Sequence, residues 1–133
     1  MINIAKQIEY WCNTAENDIE TAKILITADK YIEGMFFCHL SIEKIIKALV
    51  VKQTQNIPVR SHDLFYLIEI AKVDITEEQS NFMQILMKYQ LEGRYPEFYL
   101  KVPSSDKIND YFNKTISLLL CFKRCYKYWS SIC

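Results

Sequence analysis

The chain has 133 residues, half of them hydrophobic and a quarter charged, which is typical of one globular domain and excludes a disordered segment. Its two glycines and three prolines are too few for the turns of a multi-stranded sheet, so helices are the expected elements. The 16 basic and 16 acidic residues balance, which excludes a net positive field that would draw the whole protein onto nucleic acid.

The first predicted helix covers residues 3–28. Its apolar residues recur at steps of three and four, which is the period of an amphipathic helix. They are Ile4, Ile8, Trp11, Ala15, Ile19, Ala22 and Ile26. Asp18 borders this apolar stripe, and an acidic side chain in such a position needs a partner or access to water.

The second predicted helix covers residues 31–52 and is unusually apolar. Thirteen of the twenty residues 31–50 are apolar, more than a one-sided surface helix requires, so we expect this helix to be central. Its segment HLSIEKIIKALV is too short and too charged to span a bilayer, and we expect no membrane association. His39 lies on the apolar seam, where a hydrogen-bonded core imidazole is the expected role.

The rest of the chain predicts three further helices, at 62–72, at 75–91 and from about 105 to about 131. Ser61 is the expected N-cap of the first, residues 74–77 carry a capping-box pattern before the second, and Ser104 or Ser105 caps the third. Together the elements predict an all-α fold, an antiparallel up-and-down four-helix bundle with one extra short helix, forming a single domain over residues 1–133.

The five cysteines include no CxxC pair, and their odd number is typical of reduced thiols in a cytosolic protein. The N-terminus shows neither the charged segment nor the apolar run of a signal peptide, so the expected location is cytoplasmic. Cys121 and Cys125 are spaced i,i+4, but no histidine or acid stands at ligand spacing, which favours core packing over a metal site. We expect neither a metal nor a cofactor.

Four segments, in order over residues 11–96, resemble the HEPN family (the higher eukaryotes and prokaryotes nucleotide-binding domain). The segments are Trp11-x3-Ala15-x2-Asp18-x3-Ala22-x2-Leu25, then Tyr31 through Phe36-Phe37 leading into Ile42-Glu43-Lys44-x2-Lys47-Ala48-Leu49, then His62-Asp63-Leu64-x2-Leu67, and finally Arg94-Tyr95-Pro96. The resemblance implies a four-helix bundle that is usually a homodimer and binds nucleotides or RNA. It also implies a minimal nucleotidyltransferase as partner, in a toxin–antitoxin arrangement.

The ribonuclease branch of that family carries an Arg-x(4–6)-His motif, which this chain lacks. None of its three arginines is followed by a histidine at that spacing. After Arg94 the nearest substitute is Tyr99, a phenol whose reference pKa near 10 makes it a poor proton shuttle at neutral pH. We therefore expect a binding module. A degenerate metal-independent ribonuclease that uses Arg94 with Tyr99 or His62, and a purely structural partner-binding subunit, stay open as alternatives.

The resemblance and the residue chemistry together predict a ligand site built from Asp18, Glu43, Lys44, Lys47, His62, Arg94 and Tyr95. Glu43 and Lys47 form either a solvated i,i+4 pair or part of a polar network inside the bundle. The two lysines are candidates for binding an anionic ligand. Arg94 either bonds the carbonyls at a helix end or reaches a phosphate, with Tyr95 as a stacking surface.

Overall fold

The computed structural model describes residues 2–90 and 101–128, with side chains described as far as Cys125. The helices are α1 (Ile4–Thr27), α2 (Tyr31–Thr54), α3 (Leu64–Ala71), α4 (Glu77–Met87) and α5 (Ser105–Tyr128). No strand occurs in these ranges, so the predicted all-α bundle with one short extra helix is confirmed. The predicted end of the last helix, near residue 131, lies outside the described residues.

The second helix is the centre of the molecule, as its composition predicts. It packs against each of the other four helices, most extensively against α1. From Ser41 to Val51 every residue except Lys44 is buried, so that this segment reaches solvent only at Lys44. A polar side chain on this stretch must therefore find its partners inside the protein.

The start of α3 differs from the prediction. Ser61 is not the N-cap; Asp63 is, and its carboxylate accepts from the backbone N–H groups of Phe65 at 3.0 Å and Tyr66 at 3.4 Å. Ser61 shapes the preceding turn, because its Oγ accepts from the N–H of Asp63 at 3.1 Å. Both residue types cap helices well, and the cap falls on the one that directly precedes the apolar run at Leu64.

The capping box before α4 also lies two residues later than the pattern at 74–77 indicates. Thr76 Oγ1 accepts from the N–H of Gln79 at 3.0 Å, and the Gln79 side chain accepts from the N–H of Thr76 at 2.9 Å. At α5 the predicted capping by a serine is confirmed, because Ser104 Oγ accepts from the N–H of Lys107 at 3.2 Å. Glutamine and glutamate are equivalent at the third position of the box, which allows the shift.

The antiparallel pair of α1 and α2 is held close together at Gly34. A Cβ atom at this position would lie 2.6 Å from Cγ1 of Ile26 and 3.4 Å from the carbonyl oxygen of Ala22. The absence of a side chain at residue 34 is therefore what lets the first turns of α2 approach the last turns of α1. This contact sets the separation of the two helices that carry most of the candidate site.

We expect Gly34→Ala to destabilise the protein. Alanine is better than glycine inside a helix by about 1 kcal/mol, but overpacking against Ile26 Cγ1 costs about 1–3 kcal/mol, so the free energy of unfolding should fall by about 1 kcal/mol. Urea unfolding of the variant measures this. In an Ile26→Ala background the Cγ1 atom that the new Cβ would meet is absent, and Gly34→Ala should be neutral or stabilising. Stabilisation in the wild-type background would contradict the close approach.

Candidate functional site

Six polar residues meet between α1, α2 and the loop before α3, and we call them the polar cluster: Asp18, His39, Glu43, Lys44, Lys47 and His62. Four of them come from two turns of α2, where the spacing i,i+4 puts His39, Glu43 and Lys47 on one line of the helix. Asp18 comes from the facing surface of α1. The loop between α2 and α3 supplies His62.

Glu43 is the hub of the polar cluster. Its Oε2 accepts from Nζ of Lys47 at 3.1 Å, and its Oε1 accepts from Nδ1 of His62 at 2.9 Å. The Glu43 side chain is 1% exposed and that of Lys47 7% exposed. Of the two arrangements that the sequence leaves open, the structure therefore shows the internal network and not a solvated pair.

Lys47 is held inside the bundle by a second contact. Its ammonium lies 5.3 Å from the centroid of the Trp11 ring, a cation–π arrangement that adds to the pairing with Glu43. Trp11 thus contributes to the cluster although its place on the apolar stripe of α1 marked it as a core residue. Of the two candidate lysines, Lys44 is the one whose side chain reaches solvent.

Asp18 and Lys44 form the second ion pair of the cluster, joining α1 to α2. Nζ of Lys44 lies 3.3 Å from Oδ2 of Asp18, and the side chains are 20% and 9% exposed. Burial raises the pKa of Asp18, and the Lys44 ammonium opposes that shift. The acid that borders the apolar stripe of α1 thus has the partner that its position requires.

His39 is fully buried and makes a hydrogen bond, as predicted for a core imidazole. Its Nε2 lies 3.1 Å from the carbonyl oxygen of His62, and because a carbonyl only accepts, Nε2–H is the donor. Its Nδ1 lies 3.9 Å from Oε1 of Glu43 and has no hydrogen-bond partner among the described residues. Burial lowers the pKa of His39, although the charge of Glu43 works in the opposite direction.

The structure brings together five of the seven residues predicted to form the ligand site: Asp18, Glu43, Lys44, Lys47 and His62. Arg94 and Tyr95, together with the catalytic candidate Tyr99, lie outside the described residues. His39 was not among the residues predicted to form the site. The sequence does contain one indication of its role: His39 stands four residues before Glu43, on the line of α2 that faces His62.

A separate cleft lies between α4 and α5, away from the polar cluster. It has a volume of about 370 Å³ and is lined by Thr76, Glu78, Gln79, Phe82, Lys114, Ser117 and Leu118. None of the predicted site residues lines it. Within residues 2–90 and 101–128, no group of histidine, cysteine and acidic side chains has an arrangement that fits a metal ion. The described helices include none that is long and apolar enough to cross a bilayer.

The family model of the HEPN domain matches residues 8–125. The chain belongs to the HEPN domain family. Its fold is similar to the crystal structure of ST0689, an archaeal HEPN homologue, with a TM-score of 0.62 and 21% identity over 90% of this chain and 98% of that one. None of the curated proteins matches the chain. The resemblance stated from the sequence is thus confirmed, and the polar cluster lies within the matched part of this HEPN domain.

We expect His39 to make this HEPN domain less stable in mild acid. A histidine whose pKa is lowered by folding stays neutral in the native state, while the unfolded imidazole binds a proton below its ordinary value of 6.5. The contribution of His39 is therefore fully present above about pH 7 and is lost as the pH falls toward the lowered native pKa.

Urea unfolding of the wild type and of His39→Gln over this pH range tests the assignment. The glutamine amide retains a donor for the His62 carbonyl but does not titrate. The difference between the two free energies of unfolding should be constant above about pH 7 and should shift in favour of the variant below about pH 6.5. A difference that is constant throughout, or that shifts in favour of the wild type, would mean that His39 is not held neutral by burial.

Proposed function

We propose that this HEPN domain is a binding module that recognises a nucleotide or RNA through its phosphate, at the surface where the polar cluster reaches solvent. The single observation that supports this most is the order of burial in the cluster. The carboxylate side chains of Asp18 and Glu43 are 9% and 1% exposed, whereas Lys44 and His62 are 20% and 41% exposed. Groups that donate hydrogen bonds thus lie outermost, which suits an anionic ligand.

The loop that carries His62 adds to this donor surface. Arg60 is exposed two residues earlier in the same loop, and Lys44 lies on the adjoining part of α2. Guanidinium and ammonium groups are usual phosphate contacts in nucleic-acid-binding proteins. Since the two carboxylates are already paired with Lys44 and Lys47, they do not present unpaired negative charge to the ligand.

Binding is favoured over RNA cleavage because the chain carries no Arg-x(4–6)-His motif in any of its three possible windows. In the ribonuclease branch, the arginine balances charge on the phosphate and the histidine moves a proton. A degenerate ribonuclease that uses Arg94 with Tyr99 or His62 is the alternative activity. Loss of full-length RNA in the presence of EDTA, abolished by Arg94→Ala, would support that alternative and contradict a purely binding role.

The same proposal includes a homodimer in the cytoplasm that works with a nucleotidyltransferase-domain protein as a toxin–antitoxin pair, a role that rests on the family resemblance. Burial raises the pKa of the Cys38 thiol to about 12, so this cysteine is an unreactive core residue. Light scattering of the purified chain should give twice the monomer mass. Co-expression with a nucleotidyltransferase encoded beside it should give a stable complex, and failure to co-purify would remove the pairing from the proposal.

We expect Lys44→Gln to weaken RNA binding. Removal of one ammonium that contacts phosphate should reduce affinity several-fold at low salt and lower the salt dependence of binding by about one ion. Fluorescence anisotropy with a labelled single-stranded RNA, measured over a series of salt concentrations, gives both quantities.

Lys114→Gln is the matched control, because Lys114 is also paired with an acid, Asp110, at 3.1 Å, but lies on α5 away from the cluster. It should leave both the affinity and the salt dependence unchanged. Equal losses in the two variants would show that the effect is nonspecific, and the polar cluster would then not be the binding surface.

A further inference from the structure

The cleft between α4 and α5 continues along α4 beyond the hollow described above. A second hollow, also of about 370 Å³, adjoins the first and shares Glu78, Phe82 and Lys114 with it. We call the combined surface the α4–α5 groove, and its main residues are Glu77, Glu78, Phe82, Ile85, Lys114 and Leu118. Along α4 the groove runs from residue 76 to residue 85, which at the rise of a helix is about 14 Å.

The floor of the α4–α5 groove is apolar. Phe82 and Leu118 are 6% and 4% exposed, and Ile85 is partly buried beside them. The rings of Phe82 and Tyr111 lie 6.1 Å apart between their centroids, so α4 and α5 both support the floor. A groove of this length accommodates about two and a half turns of a further helix, whose side chains at i, i+4 and i+7 can contact the floor.

The rim that α4 contributes is negatively charged. Glu77 and Glu78 are exposed, and neither forms an ion pair within residues 2–90 and 101–128. On the opposite rim, the charge of Lys114 is balanced by Asp110 at 3.1 Å. Acids in the first turn of a helix are favourable in any case, so they do not indicate a partner by themselves. Here they lie beside an apolar floor, and the groove as a whole carries an excess of negative charge.

This combination of charge and floor narrows the choice of occupant. The rim repels a phosphate backbone and an anionic membrane surface alike. A second copy of the chain, docked through the same groove about a twofold axis, would bring two negative rims together. A helix with apolar side chains on one face and lysine or arginine beside them matches both the floor and the rim.

We infer that the α4–α5 groove binds a basic amphipathic helix of a partner protein. The apolar face of that helix covers Phe82 and Leu118, and its basic side chains pair with Glu77 and Glu78. The inference goes beyond the proposed function, because the groove contains no residue of the polar cluster and leaves the proposed RNA surface free.

The test uses two fluorescein-labelled synthetic peptides of about 18 residues, long enough for partial helix formation in water. Both have leucine at i, i+4 and i+7 in an alanine background, and the positions beside the leucines are lysine in one peptide and glutamate in the other. By fluorescence anisotropy, the wild-type protein should bind the lysine peptide at least about tenfold more tightly than the glutamate peptide. The difference should shrink as salt is added.

Three variants locate the binding. Ser117→Trp places an indole ring in the groove, since Ser117 is exposed and lines the first hollow, and it should abolish binding of the lysine peptide without changing RNA affinity. Glu78→Lys should weaken the lysine peptide about tenfold and strengthen the glutamate peptide. Glu20→Lys, the same change of charge at an exposed position of α1, is the matched control and should leave the ratio of the two affinities unchanged. Thermal unfolding confirms that each variant is folded.

Two-dimensional NMR of the labelled protein gives a readout that needs no variant. The lysine peptide should shift the amide signals of residues 76–85 and 114–118 and leave those of Asp18 and Glu43 in place. Absence of binding, equal affinity for the two peptides, or equal losses in Glu78→Lys and Glu20→Lys overturns the inference. So does a fall in molecular mass of Ser117→Trp without peptide, which would assign the groove to a second copy. None of these results changes the RNA measurements, so the proposed function is tested separately.

Discussion

The site depends on one buried ion pair, between Glu43 and Lys47 on the central helix. A carboxylate that is 1% exposed is costly unless both of its oxygens have donors. One oxygen is satisfied within α2, by the lysine one turn later. The other is satisfied from outside the helix, by the imidazole of His62. The need to satisfy this carboxylate is therefore what ties the loop before α3 to the centre of the bundle.

The same constraint explains why the candidate site has donors at its surface and acids beneath them. Glu43 lies on a segment of α2 that is buried on every face except at Lys44, so its carboxylate lies inside the bundle. The side chain of Lys44 extends from α2 toward solvent and forms an ion pair with Asp18 of α1. What reaches solvent is an ammonium and an imidazole, each paired with a buried carboxylate, and this arrangement supports the proposed recognition of phosphate.

The periodicity of the sequence predicted the fold well, because long amphipathic helices carry their own signal. The apolar stripe of residues 3–28 and the dense apolar run of residues 31–52 gave α1 and α2 nearly to their ends. The caps were placed less well: near Asp63 and Thr76 several neighbouring residues are competent to cap, and the choice among them is made by where the apolar residues dock.

Five of the seven residues predicted for the site lie together in the polar cluster, but the contacts between them were not predicted. An acid and a lysine spaced i,i+4 show the same sequence pattern on a solvent-exposed helix and on a buried one. Whether Glu43 is exposed or buried was therefore undecided until the packing around α2 was known. His39 was interpreted as an ordinary core residue, because a hydrogen bond to a backbone carbonyl in a loop cannot be predicted from residue types. Contacts between distant segments are the part that periodicity does not encode.

The most direct test of this account is the free energy of unfolding of Glu43→Leu, Lys47→Met and the double variant. Removing the acid alone strands a buried ammonium and should cost about 3–5 kcal/mol, whereas the double variant should recover most of that loss. The exposed pair of Asp110 and Lys114, which has the same spacing and distance, is the control, and Asp110→Ala should cost less than about 0.5 kcal/mol. A cost for Glu43→Leu no larger than that of the control, with no recovery in the double variant, would contradict a buried ion pair at the centre of the molecule.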